Sequence, residues 1–204
     1  MNIFLDLDGT ILDISIKYYS LYRDFCITHG LNPLESNEYW PKKRRKEDVG
    51  IPADLIVEFQ KFWINNIETE RYLDLDFLKP FANETLFELN RTYNLYLVTL
   101  RRDRQCLIKQ LTHLDIKDAF ESILSRPQNL LQTQSSLDIK TGLIRNIYKK
   151  NDAVVGDTAT DILLGKNLGI TAIAVSSGLT DVKILRSYSP DHLISCIKYL
   201  TDVL

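Results

Sequence analysis

The chain has 204 residues, 25 of them Lys or Arg and 27 Asp or Glu, for a net charge of −2 with 45% apolar residues. Eight Gly and six Pro, well under the usual combined share of about 12%, exclude collagen-like and low-complexity chains. The near-neutral charge argues against affinity built on neutralising many nucleic-acid phosphates. At roughly 100 to 200 residues per domain, the length allows one large core with a modest insertion.

Asn2–Leu5 opens the chain as a short, nearly continuously apolar run, the pattern of a strand buried on both faces. From about Asp13 to about Lys79 no strand-like run follows, and helical periodicity takes over. Tyr18, Leu21, Tyr22 and Phe25 make one stripe ending near Gly30; Leu55, Phe59, Phe62 and Trp63 make another just after Pro52. A small all-helical domain, residues 14–78, is therefore predicted inside a core formed by residues 1–13 and 79–204. Strands then alternate with helices. Leu86, Leu89 and Tyr93 precede a strand at Leu95–Val98, and Leu107, Leu111 and Leu114 precede one at Ser122–Leu124. A helix beginning near Lys140, with Leu143, Ile144 and Ile147 on one face, leads to a strand at Ala153–Val155. Ile162, Leu163 and Leu168, closed by Gly169, lead to a last strand at Thr171–Val175. This alternation predicts an α/β fold: a doubly wound parallel sheet with right-handed crossovers and a helical insertion after the first strand.

Cys26, Cys106 and Cys196 are far apart, odd in number and form no CxxC pair, which reads as free thiols in a reducing compartment. The longest uncharged run, Asn167–Thr180, has 14 residues, short of the about 20 of a spanning helix, and no basic leader precedes Asp6. The expectation is a cytoplasmic protein without membrane or nucleic-acid partners.

Two acidic pairs carry the chemistry. The first strand runs into Asp6-Leu7-Asp8-Gly9-Thr10, and the strand at 153–155 runs into Gly156-Asp157-Thr158-Ala159-Thr160-Asp161. Carboxylates at the end of a buried strand are costly unless paired or metal-bound. A parallel sheet puts all its carboxyl ends at one edge, so the pairs can converge in the crevice where open sheets bind ligands. Oxygen-only ligation with room for phosphate and water is the Mg²⁺ pattern. Thr99 closes the second core strand at the same edge, and Lys140 is the lysine whose helix start lies there. Hydroxyl, ammonium and Mg²⁺ around a carboxylate nucleophile are what phosphoryl transfer requires. The competing reading makes Asp6 and Asp8 solvated turn residues and Asp157 a helix N-cap.

Through DLDGT at 6–10, Thr99, Lys140 and GDTATD at 156–161, the chain resembles the haloacid dehalogenase superfamily over nearly its whole length. The insertion resembles the helical cap of phosphoglycolate phosphatases and β-phosphoglucomutases. Leu100 stands where that family commonly has Asn, and Thr141 where Pro is common. The resemblance implies a Rossmann-like core and an Mg²⁺-dependent phosphatase acting on a small phosphorylated metabolite. Asp6 would be the nucleophile that forms an aspartyl-phosphate, and Asp8 the acid and then the base. Asp6, the Asp8 carbonyl and Asp157 would hold Mg²⁺, with Asp161 acting from behind or through water. Thr99 and Lys140 would hold phosphoryl oxygens, and Gly9 and Thr10 would face substrate. Asp8 favours phosphate esters over halides, since halide leaves without a proton. A phosphomutase would use the same residues, and a catalytically idle binding protein is the alternative of another class. The helical insertion would serve as a mobile lid.

Two basic clusters remain. Lys42–Lys46 reads as a solvated face or as a surface that draws in anions. Arg101, in Arg101-Arg102-Asp103-Arg104, reads either as packed against acids or solvent or as a ligand for a substrate carboxylate or second phosphate.

Overall fold

A computed structural model describes residues 1–128 and 134–204. In chain order, β1 (Asn2–Leu5) and β2 (Leu12–Asp13) precede four helices, α1 (Ser15–Thr28), α2 (Ser36–Arg45), α3 (Ile56–Asn66) and α4 (Glu70–Leu73). There follow β3 (Phe77–Leu78), α5 (Ala82–Asn90), β4 (Asn94–Thr99), α6 (Arg104–His113) and β5 (Ser122–Ser125). The chain continues through α7 (Ser136–Ile144), β6 (Ala153–Gly156), α8 (Ala159–Leu168), β7 (Thr171–Val175), α9 (Val182–Ser187) and β8 (His192–Ile194). Two compact units result, Met1–Asp13 with Leu78–Leu204, and Ile14–Phe77.

The larger unit is built on a six-stranded sheet in the order β5-β4-β1-β6-β7-β8, every neighbouring pair parallel. This is the doubly wound α/β fold the alternation predicts. β1 and β6 are buried along their whole length, as their nearly continuous apolar runs require. β8 was not foreseen. It is three residues long, begins with exposed His192 and lies at the sheet's edge, so it lacks the apolar run that marks an inner strand. Phe4, Val98 and Val154 project from the sheet into a cluster with Ile144 of α7 and Leu164 of α8.

The amino end of β1 is fastened by one buried acid. Asp152 Oδ1 accepts the Asn2 main-chain N–H at 2.7 Å, and Oδ2 accepts Asn2 Nδ2 at 3.1 Å and the Lys149 N–H at 2.7 Å. Asp152→Ala leaves the buried Asn2 N–H without its acceptor, and a loss of about 2 kcal/mol is expected in urea unfolding. A loss below about 0.5 kcal/mol would show that water replaces the carboxylate.

The smaller unit has its own aromatic core. Tyr22, Phe25, Cys26, Tyr39 and Ile51 are buried together, with Tyr22 and Tyr39 stacked at 4.5 Å between ring centres. Lys17 lies on the same stripe of α1 as Leu21 and Phe25 and is buried against Asp76, Nζ to Oδ2 at 2.8 Å. Trp63 packs at the margin of this core, edge-on to both Phe59 and Tyr18, with Lys43 Nζ 5.0 Å from its ring centre. The basic run 42–46 is thus not wholly solvated. Lys43 lies on an aromatic ring, its ammonium pulled below the ordinary lysine range by burial, and Arg45 pairs with Glu47 at 2.6 Å.

All three cysteines are free, Cys26 buried and Cys106 and Cys196 only partly so. No helix among the described residues is long and apolar enough to cross a membrane.

Candidate active site

Register places the site. Leu5, the last residue of β1, lies beside Leu97 of β4 and Val155 of β6. One residue further on, Asp6 donates its N–H to Val155 O at 2.9 Å and sits at the carboxyl edge of the sheet. From β1 the core continues to β4 and β5 on one side, then to β6, β7 and β8 on the other, so Asp6 stands where the strand order reverses.

Three carboxylates meet there: oxygens of Asp6, Asp157 and Asp161 lie within 4.8 Å of one another, and all three residues are buried. Lys140 joins two of them, its Nζ 2.5 Å from Asp6 Oδ1 and 2.6 Å from Asp161 Oδ1. The expected helix start is corrected: α7 begins at Ser136 behind the Ser135 N-cap, so Lys140 occupies its second turn. It reaches the edge because helical side chains tilt toward the amino end and lysine adds a four-carbon stem. No described residue donates a hydrogen bond to the second Asp6 oxygen, Oδ2.

Asp161 has a further task. With Thr158 it forms the capping box of α8, its Oδ2 accepting from Thr158 N at 3.1 Å and from Thr158 Oγ1 at 2.6 Å. Gly156 is required behind it, since a Cβ at that position would overlap the Asp161 carboxylate.

Asp157 is held by two loops. Thr10 Oγ1 donates to Oδ1 at 3.3 Å, and the Leu179 N–H donates to Oδ2 at 2.5 Å. Gly9, at φ +88°, and Gly178 leave the space the carboxylate fills, because a Cβ on either would collide with it. Thr10 and Gly9 therefore face Asp157. The Leu179 contact had no sequence signal, because a main-chain amide carries none.

Arg101 takes the first of its two readings, packed against an acid, and lies two residues before Asp103, the N-cap of α6. Its guanidinium grips Asp8 as a fork, Nε to Oδ2 at 2.9 Å and Nη2 to Oδ1 at 2.6 Å, while Nη1 donates to Gln110 Oε1 at 2.8 Å. Together Arg101 and Asp8 form an internal ion pair, 5% exposed on the arginine side. Thr99, also buried, accepts the Arg101 N–H at Oγ1 at 3.3 Å.

The electrostatics follow from burial and crowding. Burial pushes the Asp6 carboxyl well above the ordinary range; Lys140 opposes this, and Asp161 and Asp157 add to it. Burial and the Asp161 charge push Asp157 up to about 7, against the pull of the Leu179 amide and Lys140. For Lys140, burial acts downward, but Asp161 and Asp6 more than reverse it and keep the ammonium charged. Three buried carboxylates sharing one ammonium leave uncompensated negative charge, and an oxygen-only donor set suits a hard divalent cation. The residues present fit Mg²⁺ on that ground.

A model of the family described as haloacid dehalogenase-like hydrolase matches residues 3–175. The chain is 27% identical over 224 residues to the pyrophosphatase PpaX of Bacillus cereus strain B4264, covering 100% of this chain and 95% of that protein. A haloacid dehalogenase-like hydrolase from Streptococcus pneumoniae superposes with a TM-score of 0.78 at 20% identity, over 98% of this chain and 96% of that one. A predicted phosphatase from Clostridium acetobutylicum gives the same TM-score and coverage at 12% identity. At such identities the structural likeness establishes a shared fold.

Proposed function

The chain belongs to the haloacid dehalogenase-like hydrolases, and on that premise we propose that it is an Mg²⁺-dependent phosphatase for small phosphate esters, working through an aspartyl-phosphate. The observation that carries this reading is Lys140 clamped between Asp6 and Asp161, beside Asp157, with Asp6 Oδ2 left open at the sheet edge.

In the first half-reaction an Asp6 oxygen attacks phosphorus and the bond to the leaving oxygen breaks, with Asp8 giving its proton to that oxygen. In the second, water attacks the same phosphorus, Asp8 takes the water's proton, and the bond to Asp6 breaks to release phosphate. Arg101 orients Asp8 for both transfers. Lys140 keeps Asp6 in one rotamer and lends positive charge to the equatorial phosphoryl oxygens, with the Thr99 hydroxyl as a further donor. Asp6, the Asp8 carbonyl and Asp157 would hold Mg²⁺, which supplies charge neutralisation for the transferred phosphoryl group when bound; Asp161 supports them through Lys140.

The relative named as a pyrophosphatase puts inorganic pyrophosphate among the substrates to try. Phosphate release from p-nitrophenyl phosphate, sugar phosphates, a phosphorylated hydroxy acid and pyrophosphate is the test. Release with Mg²⁺ that stops on adding EDTA is expected for at least one compound. A protein silent on the whole panel with saturating Mg²⁺ overturns the reading.

A further inference from the structure

Asp157 is gripped from two sides by loops far apart in sequence: residues 9–12, through Thr10, and residues 176–180, through Leu179. Lys79 also ties those loops to each other. Lys79, the second residue after the chain returns to the larger unit, donates its main-chain N–H to Ile11 O at 2.9 Å. Its Nζ donates to Ser177 O at 3.0 Å, and the residue is buried. Ile11 directly follows Thr10, and Ser177 stands two residues before Leu179. Lys79 therefore spans the two arms that hold Asp157.

We infer that Lys79 is a positioning residue for the metal ligand Asp157, acting through the 9–12 and 176–180 loops without touching it. Two features give the brace consequence. Gly9 and Gly178 face Asp157 from these same loops, each so close that a Cβ would overlap its carboxylate, so a small loop displacement moves the ligand itself. A buried ammonium hydrogen-bonded to a carbonyl is a directional, charge-assisted tie, whereas the neighbouring loop residues Ser177, Gly178 and Leu179 bring no comparable group of their own. The main-chain half of the brace survives any non-proline substitution, which makes the ammonium separable by mutation. The inference rests on the Mg²⁺ reading above, and the test separates the two.

Lys79→Met keeps the buried aliphatic stem and removes the donor; Lys79→Arg keeps a cationic donor at the end of the chain. Two readouts apply, neither requiring turnover: amide hydrogen exchange of segment 176–180 in the metal-free full chain, and calorimetric titration with Mg²⁺ alone. In Lys79→Met, exchange of the Leu179 amide is expected to quicken and Mg²⁺ affinity to fall about tenfold, the lower end of the range for lost outer-sphere support. In Lys79→Arg, both are expected to stay within about threefold of the parent, under the same principle. The brace is overturned if Lys79→Met matches the parent in both readouts, or if Lys79→Arg does as badly as Lys79→Met. Should Lys79→Met fail to fold, Lys79→Gln takes its place with the same criteria. A parent that binds Mg²⁺ yet releases no phosphate refutes the phosphatase reading and leaves the brace standing. A parent that binds no Mg²⁺ refutes the metal reading, and the exchange data alone then decide whether the brace exists.

Discussion

Asp6→Asn is expected to lose at least about 10⁴-fold in kcat, the scale on which nucleophile replacements fall, while unfolding at no lower temperature than the parent. The amide cannot form the acyl phosphate, so the covalent path closes. Stability is spared for a reason visible in the site. The Asn oxygen can still accept from Lys140, Lys140 keeps Asp161 as its charged partner, and one of three crowded buried charges disappears. Acid quenching of the parent during turnover should leave phosphate on the peptide containing Asp6, and the same peptide from the variant should be unmodified. Turnover by the variant within tenfold of the parent would remove Asp6 from the mechanism.

The second large effect concerns pH without metal. Burial and the Asp161 charge raise Asp157 from its ordinary 3.8 to about 7, and burial raises Asp6 in the same direction. Between those values the folded chain holds a proton that the unfolded chain has released, so stability must fall as pH rises through that window. For Asp157 alone the loss is on the order of 4 kcal/mol once pH passes about 7. Lys140, held above the ordinary lysine range, contributes equally across the window and adds no slope. His29, lifted by its hydrogen bonds with Glu58 and Phe25, slopes the same way but lies at the surface and counts for little. In EDTA, urea unfolding should therefore show a protein more stable at pH 5 than at pH 8. Saturating Mg²⁺ should stabilise far more at pH 8, where protons no longer compete for the carboxylates. Asp157→Asn should flatten most of the EDTA slope. Metal-free protein at least as stable at pH 8 as at pH 5 would show that these acids are not buried against one another.

The inner strands were readable because a strand covered on both faces must be largely apolar, as β6 and, past Asn2, β1 are. β8 escaped notice at the edge, where one polar end suffices to hide three residues. α7 begins four residues before the expected start: Leu137 and Ile139 already lie on its packed side, ahead of the stripe at Leu143, Ile144 and Ile147. Nothing local marks Lys17, on the buried stripe of α1, as a paired residue, because its partner Asp76 is 59 positions away. Leu179, 22 positions from Asp157, contributes only its amide, which every non-proline residue possesses.

The amino-acid sequence by itself determined that DLDGT and GDTATD share one edge, because parallel strands have no other way to end, and hence that acids and a nearby lysine assemble one oxygen-rich site. Only the tertiary structure decided which cation sits on which acid: Lys140 on Asp6 and Asp161, Arg101 on Asp8. Long flexible side chains can reach several carboxylates, and the choice among them turns on burial and on neighbours brought from distant parts of the chain, neither of which has a period or a spacing to read.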